Sequence, residues 1–401
     1  MSESTTSTLP AGDELRDAAG GVQAHTVELR RAIHEDPELG LQLPDTQAKI
    51  LESLTGLGLD ITTGESTTSV VADLDTGVDG PTVLLRADMD ALPMTEDLDV
   101  PFQSRHEGRM HACGHDGHVA MLASAAKLLS EQKGELTGRI RFMFQPGEEG
   151  YHGARYMIEE GVLDGVDRAF AIHVTPNVPA GMAATRRGPF MASADTFEIT
   201  VHGKGGHAST PHFSTDPIPA AAEIVTGLHT MVGRSIDVNQ PGLITVAHME
   251  AGTTSNVIPE TAFLEGTIRS LNEHSRTALK EGVERVAHGV ASAHGCSCSV
   301  EVEQGYPVTV NDADQADLVA AVGRHTLGDN LYVDMPTAIM GAEDWSYVLQ
   351  QVPGAMAFLG VCPEDIANPR EAASNHSNYM RLNEDALASG VALYCAMAMV
   401  R

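Results

Sequence analysis

The sequence predicts an α/β chain: a layered domain of strands alternating with helices, interrupted by a smaller inserted β-α-β-β-α-β unit. Three observations carry that expectation. Apolar runs of strand length recur, and each ends on polar, potentially reactive residues; helical periodicity lies between them; and the middle of the chain changes to a different strand and helix order between two Gly/Pro breaks.

The first dozen residues, MSESTTSTLPAG, are Ser/Thr-rich and read as a disordered tail, with neither the basic nor the apolar part of a secretory signal. TVLLRADMD runs apolar from Val83 to Leu85 and then meets Asp88 and Asp90. HVAMLASAAKLLSEQ (118–132) places Met121, Leu122, Ala125 and Leu129 on one helical face. RIRFMFQPGEEG alternates Ile140, Phe142 and Phe144 and breaks at Pro146-Gly147, RAFAIHV ends near His173, and GAMAFLG (354–360) is a further strand. Open α/β sheets build their sites at such strand C-terminal ends.

The inserted unit begins with the alternating strand DTFEITVHG and a helix from about Pro217 to Val232. The strands GLITVAHMEAG and TAFLEGTIRSL follow, then a helix with Leu279, Val283, Val286 and Val290 in register, then the strand SCSVEVEQG. That is the order of a ferredoxin-like unit. Gly188-Pro189 and Gly305-Tyr306-Pro307 bound it, so the expected division is 191–306 inserted into a discontinuous domain of 1–190 and 307–401.

A chain of 401 residues suits two domains, and no apolar run approaches the ~18 residues of a membrane span. Five irregularly spaced cysteines indicate no disulfide framework, and Cys296 and Cys298 read as strand residues; a cytoplasmic setting is expected. A net charge of −30 excludes a nucleic-acid partner, whose phosphates need basic neutralisation, and requires a local positive site for any anionic substrate.

MHACGHDGH (110–118) packs histidines, a cysteine and an aspartate into one turn. Catalytic metal sites take His, thiolate and carboxylate ligands. Cys113, His115, Glu148, Glu149, His173 and His376 are the candidates, three of their sites following apolar strands that could converge on one edge. Each alone has a plainer reading as a hydrogen-bonded histidine or a solvated turn. Adjacent glutamates outside a helix point in different directions, so one can bind metal while the other moves protons for a metal-activated water. Cys113 as a nucleophile beside a histidine is the competing idea, disfavoured because a metal-bound thiolate attacks poorly. The zincin, nucleophile-elbow, Walker A and deaminase motifs do not occur.

The chain resembles the amidohydrolase branch of the dinuclear-metal aminoacylase/carboxypeptidase family, which includes hippurate hydrolases, N-acyl-amino-acid deacylases and auxin-conjugate hydrolases. RADMDALPM (86–94), MHACGHDGHVAML (110–122), QPGEEGYHGARYMIEEGVL (145–163), AIHVTPNVPAG (171–181), GKGGHASTPH (203–212), GTTSNVIP (252–259), GTIRS (266–270) and MGAEDWSY (340–347) carry the resemblance in order along most of the chain. It implies a metallopeptidase-like catalytic domain with a mixed sheet flanked by helices, and an inserted ferredoxin-like lid through which the protein forms a homodimer. It implies two divalent ions per subunit held by Cys113, His115, Glu149, His173 and His376, with Cys113 bridging; zinc or manganese leads, and nickel or cobalt fits the same ligands. Glu148 becomes the general base and acid, Asp90 orients a ligand, and His207 stabilises the oxyanion, in cis or across a dimer. Asn256 and Arg269 hold the substrate α-carboxylate. Plainer readings stay open: a turn residue for Asp90, a loop histidine for His207, and a strand arginine paired with a surface acid for Arg269. Trp345 stands where relatives show phenylalanine, which bears on the acyl pocket. The implied reaction is hydrolysis of N-acyl-L-amino acids, with a dipeptidase or carboxypeptidase as the alternative. An idle metal-binding scaffold is the reading from outside enzymes, and no ligand or base is missing to support it.

Overall fold

The computed structural model describes residues 9–400, so residues 1–8 of the expected tail lie outside the described residues, and the first helix begins at Gly12. The chain divides into two compact units. One comprises the chain up to Gly188 with Val310–Thr337 and everything from Tyr347 on; the other comprises Pro189–Thr309 with Ala338–Ser346.

Among the described residues the α-helices longer than four residues are α1 (Gly12–Gly21), α2 (Gln23–His34), α3 (Pro44–Leu54), α4 (His115–Glu131), α5 (Gly153–Glu159), α6 (Pro217–Ser235), α7 (Glu273–Ala293), α8 (Ala313–Leu327) and α9 (Leu387–Met399). The strands of the first unit are β1 (Asp60–Thr63), β2 (Val70–Asp75), β3 (Thr82–Asp88), β4 (Arg139–Gln145), β5 (Arg168–Thr175) and β6 (Ala183–Thr185). The second unit supplies β7 (Ser193–His202), β8 (Gly242–Ala251), β9 (Thr261–Ser270) and β10 (Ser297–Glu303). The first unit closes with β11 (Tyr332–Asp334) and β12 (Gly354–Gly360).

The first unit is built on a mixed sheet in the order β1-β2-β4-β3-β5-β12-β6-β11. Its centre, β4-β3-β5-β12, is parallel, while β1 and β2 pair antiparallel at one side and β6 meets β12 antiparallel at the other. The central strands read as near-continuous apolar runs because parallel strands are covered on both faces; GAMAFLG is buried along its whole length. α9 is apolar all round and buried from Gly390 to Met399, as an interior helix must be. It packs against α4 and α1, and α2 against α4.

α4 starts at His115, three residues before the start read from periodicity. Apolar spacing misses its first turn because that turn is filled by the buried polar residues His115, Asp116 and His118. Gly114 makes the start possible: its φ is +89°, and a Cβ there would lie 2.4 Å from Val174 Cγ2.

The second unit is a four-stranded antiparallel sheet in the order β8-β9-β7-β10, with α6 and α7 packed on it. Phe197, Ile199, Ile224, Leu228, Leu264, Leu279 and Val283 form its core. The β-α-β-β-α-β order and this strand order are ferredoxin-like. The expected division left 338–346 with the first unit; Ala192 N–H donates to the carbonyls of Ile339 (3.1 Å) and Gly341 (2.8 Å), which groups that segment with the second. Among the described residues no helix is long and apolar enough to cross a membrane.

Candidate metal centre

β3, β4 and β5 run parallel, so their C-terminal ends meet on one edge of the sheet. That edge gathers Asp88 at the end of β3 and Asp90 just beyond it, Glu148 and Glu149 after β4, and His173 near the end of β5. Cys113, two residues before α4, and His115, its first residue, add to them, and the loop before α9 adds His376.

The five ligand candidates fall into overlapping triples. Donor atoms of Cys113, His115 and His173 lie within 4.8 Å of one another, as do those of Cys113, Glu149 and His376. Cys113 is common to both triples. Its Sγ lies 3.4 Å from His173 Nε2, and His376 Nε2 lies 3.2 Å from Glu149 Oε1. Glu148 adjoins the cluster, with Oε2 4.0 Å from His115 Nε2.

The imidazoles are aimed by main-chain carbonyls. His115 Nδ1–H donates to the Asp90 carbonyl at 2.8 Å and His173 Nδ1–H to the Val174 carbonyl at 2.8 Å. A histidine bonded in this way turns the Nε2 lone pair outward for a cation. His115 Nε2 is buried with no hydrogen-bond partner. Such an orphaned atom among a thiol, carboxylates and imidazoles fits a divalent ion in its donor chemistry. His376 takes a left-handed backbone at φ +68°, held by its N–H to the Ala112 carbonyl at 2.8 Å.

Asp90 carries its carboxylate to the glutamate turn. Its Oδ1 accepts the N–H of Glu148 at 2.9 Å and its Oδ2 that of Glu149 at 3.0 Å. Through its carboxylate it fixes both glutamates, and through its carbonyl it fixes His115. Gly153, which begins α5, closes this turn; a Cβ there would lie 1.6 Å from the Pro146 carbonyl oxygen.

Proton affinities at the site are set by mutual pairing. Hydrogen bonds to Cys113 and Glu149 push His376 up to about 10. Burial opposes the charge on His115, but Asp88 and Cys113 outweigh it and raise its affinity well above the ordinary value. Burial, reinforced by Glu149, raises the Cys113 thiol. Burial opposes the charge on Glu149 as well, yet His376 and His115 hold its carboxyl below the usual range.

Sequence reasoning passed over Asp88 and Asn375. Asp88 is fully buried; Oδ2 accepts from Arg86 Nη1 at 2.7 Å and Oδ1 from His118 Nδ1 at 2.5 Å. Asn375 Nδ2 donates to the carbonyls of Cys113 (2.8 Å) and Val174 (3.2 Å). The D-x-D after a strand was the available signal for Asp88; Asn375 offered only its place beside His376. His111 is buried with neither ring nitrogen bonded, and burial pushes it down to about 3. His152 Nδ1 pairs with the Tyr347 hydroxyl at 2.9 Å.

The remaining candidates belong to the second unit. His207 is exposed on a two-residue strand paired with Val257–Ile258, its Nδ1 2.7 Å from Ser209 Oγ. Asn256 is next to it in the ladder, its carbonyl accepting Ala208 N–H at 3.1 Å. Arg269 is half-buried on β9 and makes no ion pair among the described residues, so the surface-acid pairing does not occur; burial lowers its proton affinity, with Asp195 opposing. Arg276 is the contrast, held by both oxygens of buried Asp195 at 2.8 and 2.7 Å.

The profile of Peptidase family M20/M25/M40 matches residues 84–400. Thermostable carboxypeptidase 2 of Saccharolobus solfataricus is 40% identical over 96% of this chain and 98% of its own length. IAA-amino acid hydrolase ILR1-like 2 of Arabidopsis thaliana is 40% identical over 93% of this chain and 84% of its own. Among solved structures, a dinuclear metal binding peptidase of Bacillus subtilis is 33% identical over 95% of this chain and 98% of its own, with a TM-score of 0.81.

Proposed function

The chain belongs to peptidase family M20/M25/M40 and is a metal-dependent amidohydrolase, and from that premise we propose that it cleaves N-acyl-L-amino acids to a carboxylic acid and a free amino acid. The observation that carries this reading is Glu148: a buried carboxylate on a turn anchored by Asp90, its donor atom within 4.8 Å of those of His115 and Glu149 and so within reach of whatever those two bind.

Cys113, His115, Glu149, His173 and His376 would hold two divalent ions per subunit, zinc or manganese first among the fitting metals. When bound there, such ions would supply Lewis acidity for the scissile carbonyl and a water whose pKa is lowered toward ~7. Glu148 takes a proton from the attacking water as its oxygen bonds to the carbonyl carbon. It then delivers that proton to the amide nitrogen as the C–N bond breaks. Asp90 keeps Glu148 and Glu149 in register for these two tasks. His207 stabilises the oxyanion, and Asn256 and Arg269 receive the α-carboxylate; the half-buried guanidinium of Arg269, which makes no ion pair among the described residues, supports that role. The protein works in the cytoplasm as a homodimer formed through the inserted unit.

Glu148→Gln is the test. The amide keeps the volume and loses the proton acceptor, so kcat falls by about 10²–10⁴-fold with metal content unchanged. Near-normal turnover in that variant would remove the assigned base. The carboxypeptidase relative favours a second reading, peptide hydrolysis at the same ions. Comparing kcat/KM for benzoyl- and acetyl-amino acids with that for free dipeptides decides between them.

A further inference from the structure

We propose that His118 is a positioning residue for the metal ligand His173, acting through the main chain of Val174, with Asn375 securing the same residue from its carbonyl side. The inference rests on the assignment of His173 as a ligand.

His118 is completely buried one turn into α4, and its donor atoms lie close enough to those of Asp88 and His115 to resemble a further cation site. Both of its ring nitrogens are already engaged. Val174 N–H donates to Nε2 at 2.8 Å. A backbone N–H can only donate, so Nε2 presents its lone pair and the ring hydrogen sits on Nδ1, where it donates to Asp88 Oδ1 at 2.5 Å. Asp88 is held in turn by Arg86, whose Nε donates to Gln145 Oε1 at 2.9 Å. A line of buried bonds therefore runs from the ends of β3 and β4 to Val174 and stops there.

Val174 is where such a line is needed. The β3–β5 ladder ends at Arg86 and Ala171, so the Val174 N–H lies beyond the last strand pairing on that side. Without His118 this buried donor would lose its partner, which is destabilising. The peptide it belongs to is the one that joins His173 to Val174. The Val174 carbonyl accepts from His173 Nδ1 at 2.8 Å and from Asn375 Nδ2 at 3.2 Å. His118 thus fixes the backbone of His173, and Asn375 fixes the carbonyl that orients its ring. The rings of His118 and His173 also meet edge to face, centroids 4.8 Å apart.

The experiment compares His118→Leu, His118→Gln and Asn375→Ala with His173→Ala, measuring ions retained per subunit under chelator competition and the melting temperature of the metal-free proteins. Leucine removes both bonds of His118. Glutamine loses the Asp88 contact in the same way but offers Oε1 to the Val174 N–H. His118→Leu is expected to weaken one of the ions by about 10–100-fold while His118→Gln stays near wild type, although both metal-free variants melt earlier. Equal loss of ion affinity in Leu and Gln, tracking the melting temperature, overturns the proposal, as does wild-type affinity in His118→Leu. If His118→Leu does not fold, half-buried Asn375 carries the test: Asn375→Ala is expected to weaken an ion about tenfold, and wild-type affinity there overturns the proposal. His173→Ala separates the two levels. Loss of one ion supports the ligand assignment whatever His118 does, and retention of both removes that assignment and the role of His118 with it.

Discussion

Replacing Asp90 by asparagine would unsettle the glutamate turn by changing one atom type. Asp90 is 1% exposed, and its two carboxylate oxygens accept the Glu148 and Glu149 N–H groups at 2.9 and 3.0 Å. Asparagine retains one oxygen and must turn its NH₂ toward the other N–H, setting donor against donor. One hydrogen bond to a charged acceptor is lost, worth about 1.5–3 kcal/mol, and a buried N–H is left without a partner, which costs about 1–3 kcal/mol. Some of this relaxes as the turn shifts, so a net loss of about 2–4 kcal/mol in unfolding free energy is expected by urea titration of the metal-free protein. The shift itself reaches the chemistry. A displacement of about 1 Å of a catalytic group costs about 100-fold in rate, so kcat on an N-acyl amino acid should fall by that order with KM little changed. The Asp90 carbonyl still accepts from His115 Nδ1, so the ligands on that side remain in place. A variant with kcat within about threefold of wild type and unaltered unfolding would show that the carboxylate does not hold the turn.

Metal binding at pH 7 should release protons, because His115 and His376 have raised affinities and the Cys113 thiol is pushed up by burial. Roughly two to three protons per subunit are expected from calorimetry in buffers of different ionisation enthalpy, and no buffer dependence would contradict the ligand set. Arg269→Lys should raise KM for N-acyl amino acids by about 10–100-fold with a smaller change in kcat, and should have little effect on an N-acyl amine lacking the carboxylate. An equal penalty on both substrates would detach Arg269 from the carboxylate. His34 lies between Asp116 Oδ2 (2.7 Å) and Glu96 Oε1 (3.1 Å); burial and Arg30 oppose its charge, but the carboxylates prevail and raise its pKa. A raised folded-state pKa stabilises fully below the unfolded value of about 6.5 and is lost as pH rises through the folded value. The stability gap between wild type and His34→Gln should therefore be wider at pH 6 than at pH 9, and a gap that grows with pH would reverse the assignment.

The layered architecture was legible because buried parallel strands leave unbroken apolar runs, and β3, β4, β5 and β12 fall where those runs do. The ligand set came from the family resemblance, and the residues alone offered only position: Glu149 follows β4, His173 lies near the end of β5 and Cys113 sits two residues before α4. Where polar groups fill a buried turn, the pattern failed. α4 begins at His115 because its first turn buries polar residues, which apolar spacing reads as loop. The bonding roles of Asp88 and Asn375 were not legible, because those bonds run to residues 30 and 201 positions away and form only when the segments meet; for Asp88 the D-x-D marked the position alone. The grouping of 338–346 with the inserted unit rests on backbone bonds from Ala192, which no side-chain pattern announces.

One physical economy links these parts. A chain with net charge −30 that gathers Asp88, Asp90, Glu148 and Glu149 on one edge has concentrated negative charge where burial makes it costly. It does not neutralise all four in the same way. Asp88 is paired with Arg86 and His118, and Asp90 is consumed by two backbone N–H groups, so both are fixed irrespective of any ion. Among the described residues the side chain of Glu149 meets groups that can give up their protons, His376 above all. That asymmetry separates scaffold from ligand. The permanently satisfied aspartates set the geometry, and the donors satisfied by exchangeable protons are the ones a divalent cation can claim. Glu148 and Glu149 stand side by side on one turn that Asp90 holds through both backbone N–H groups, and on the proposed assignment that turn keeps the ligand and the proton carrier in separate places.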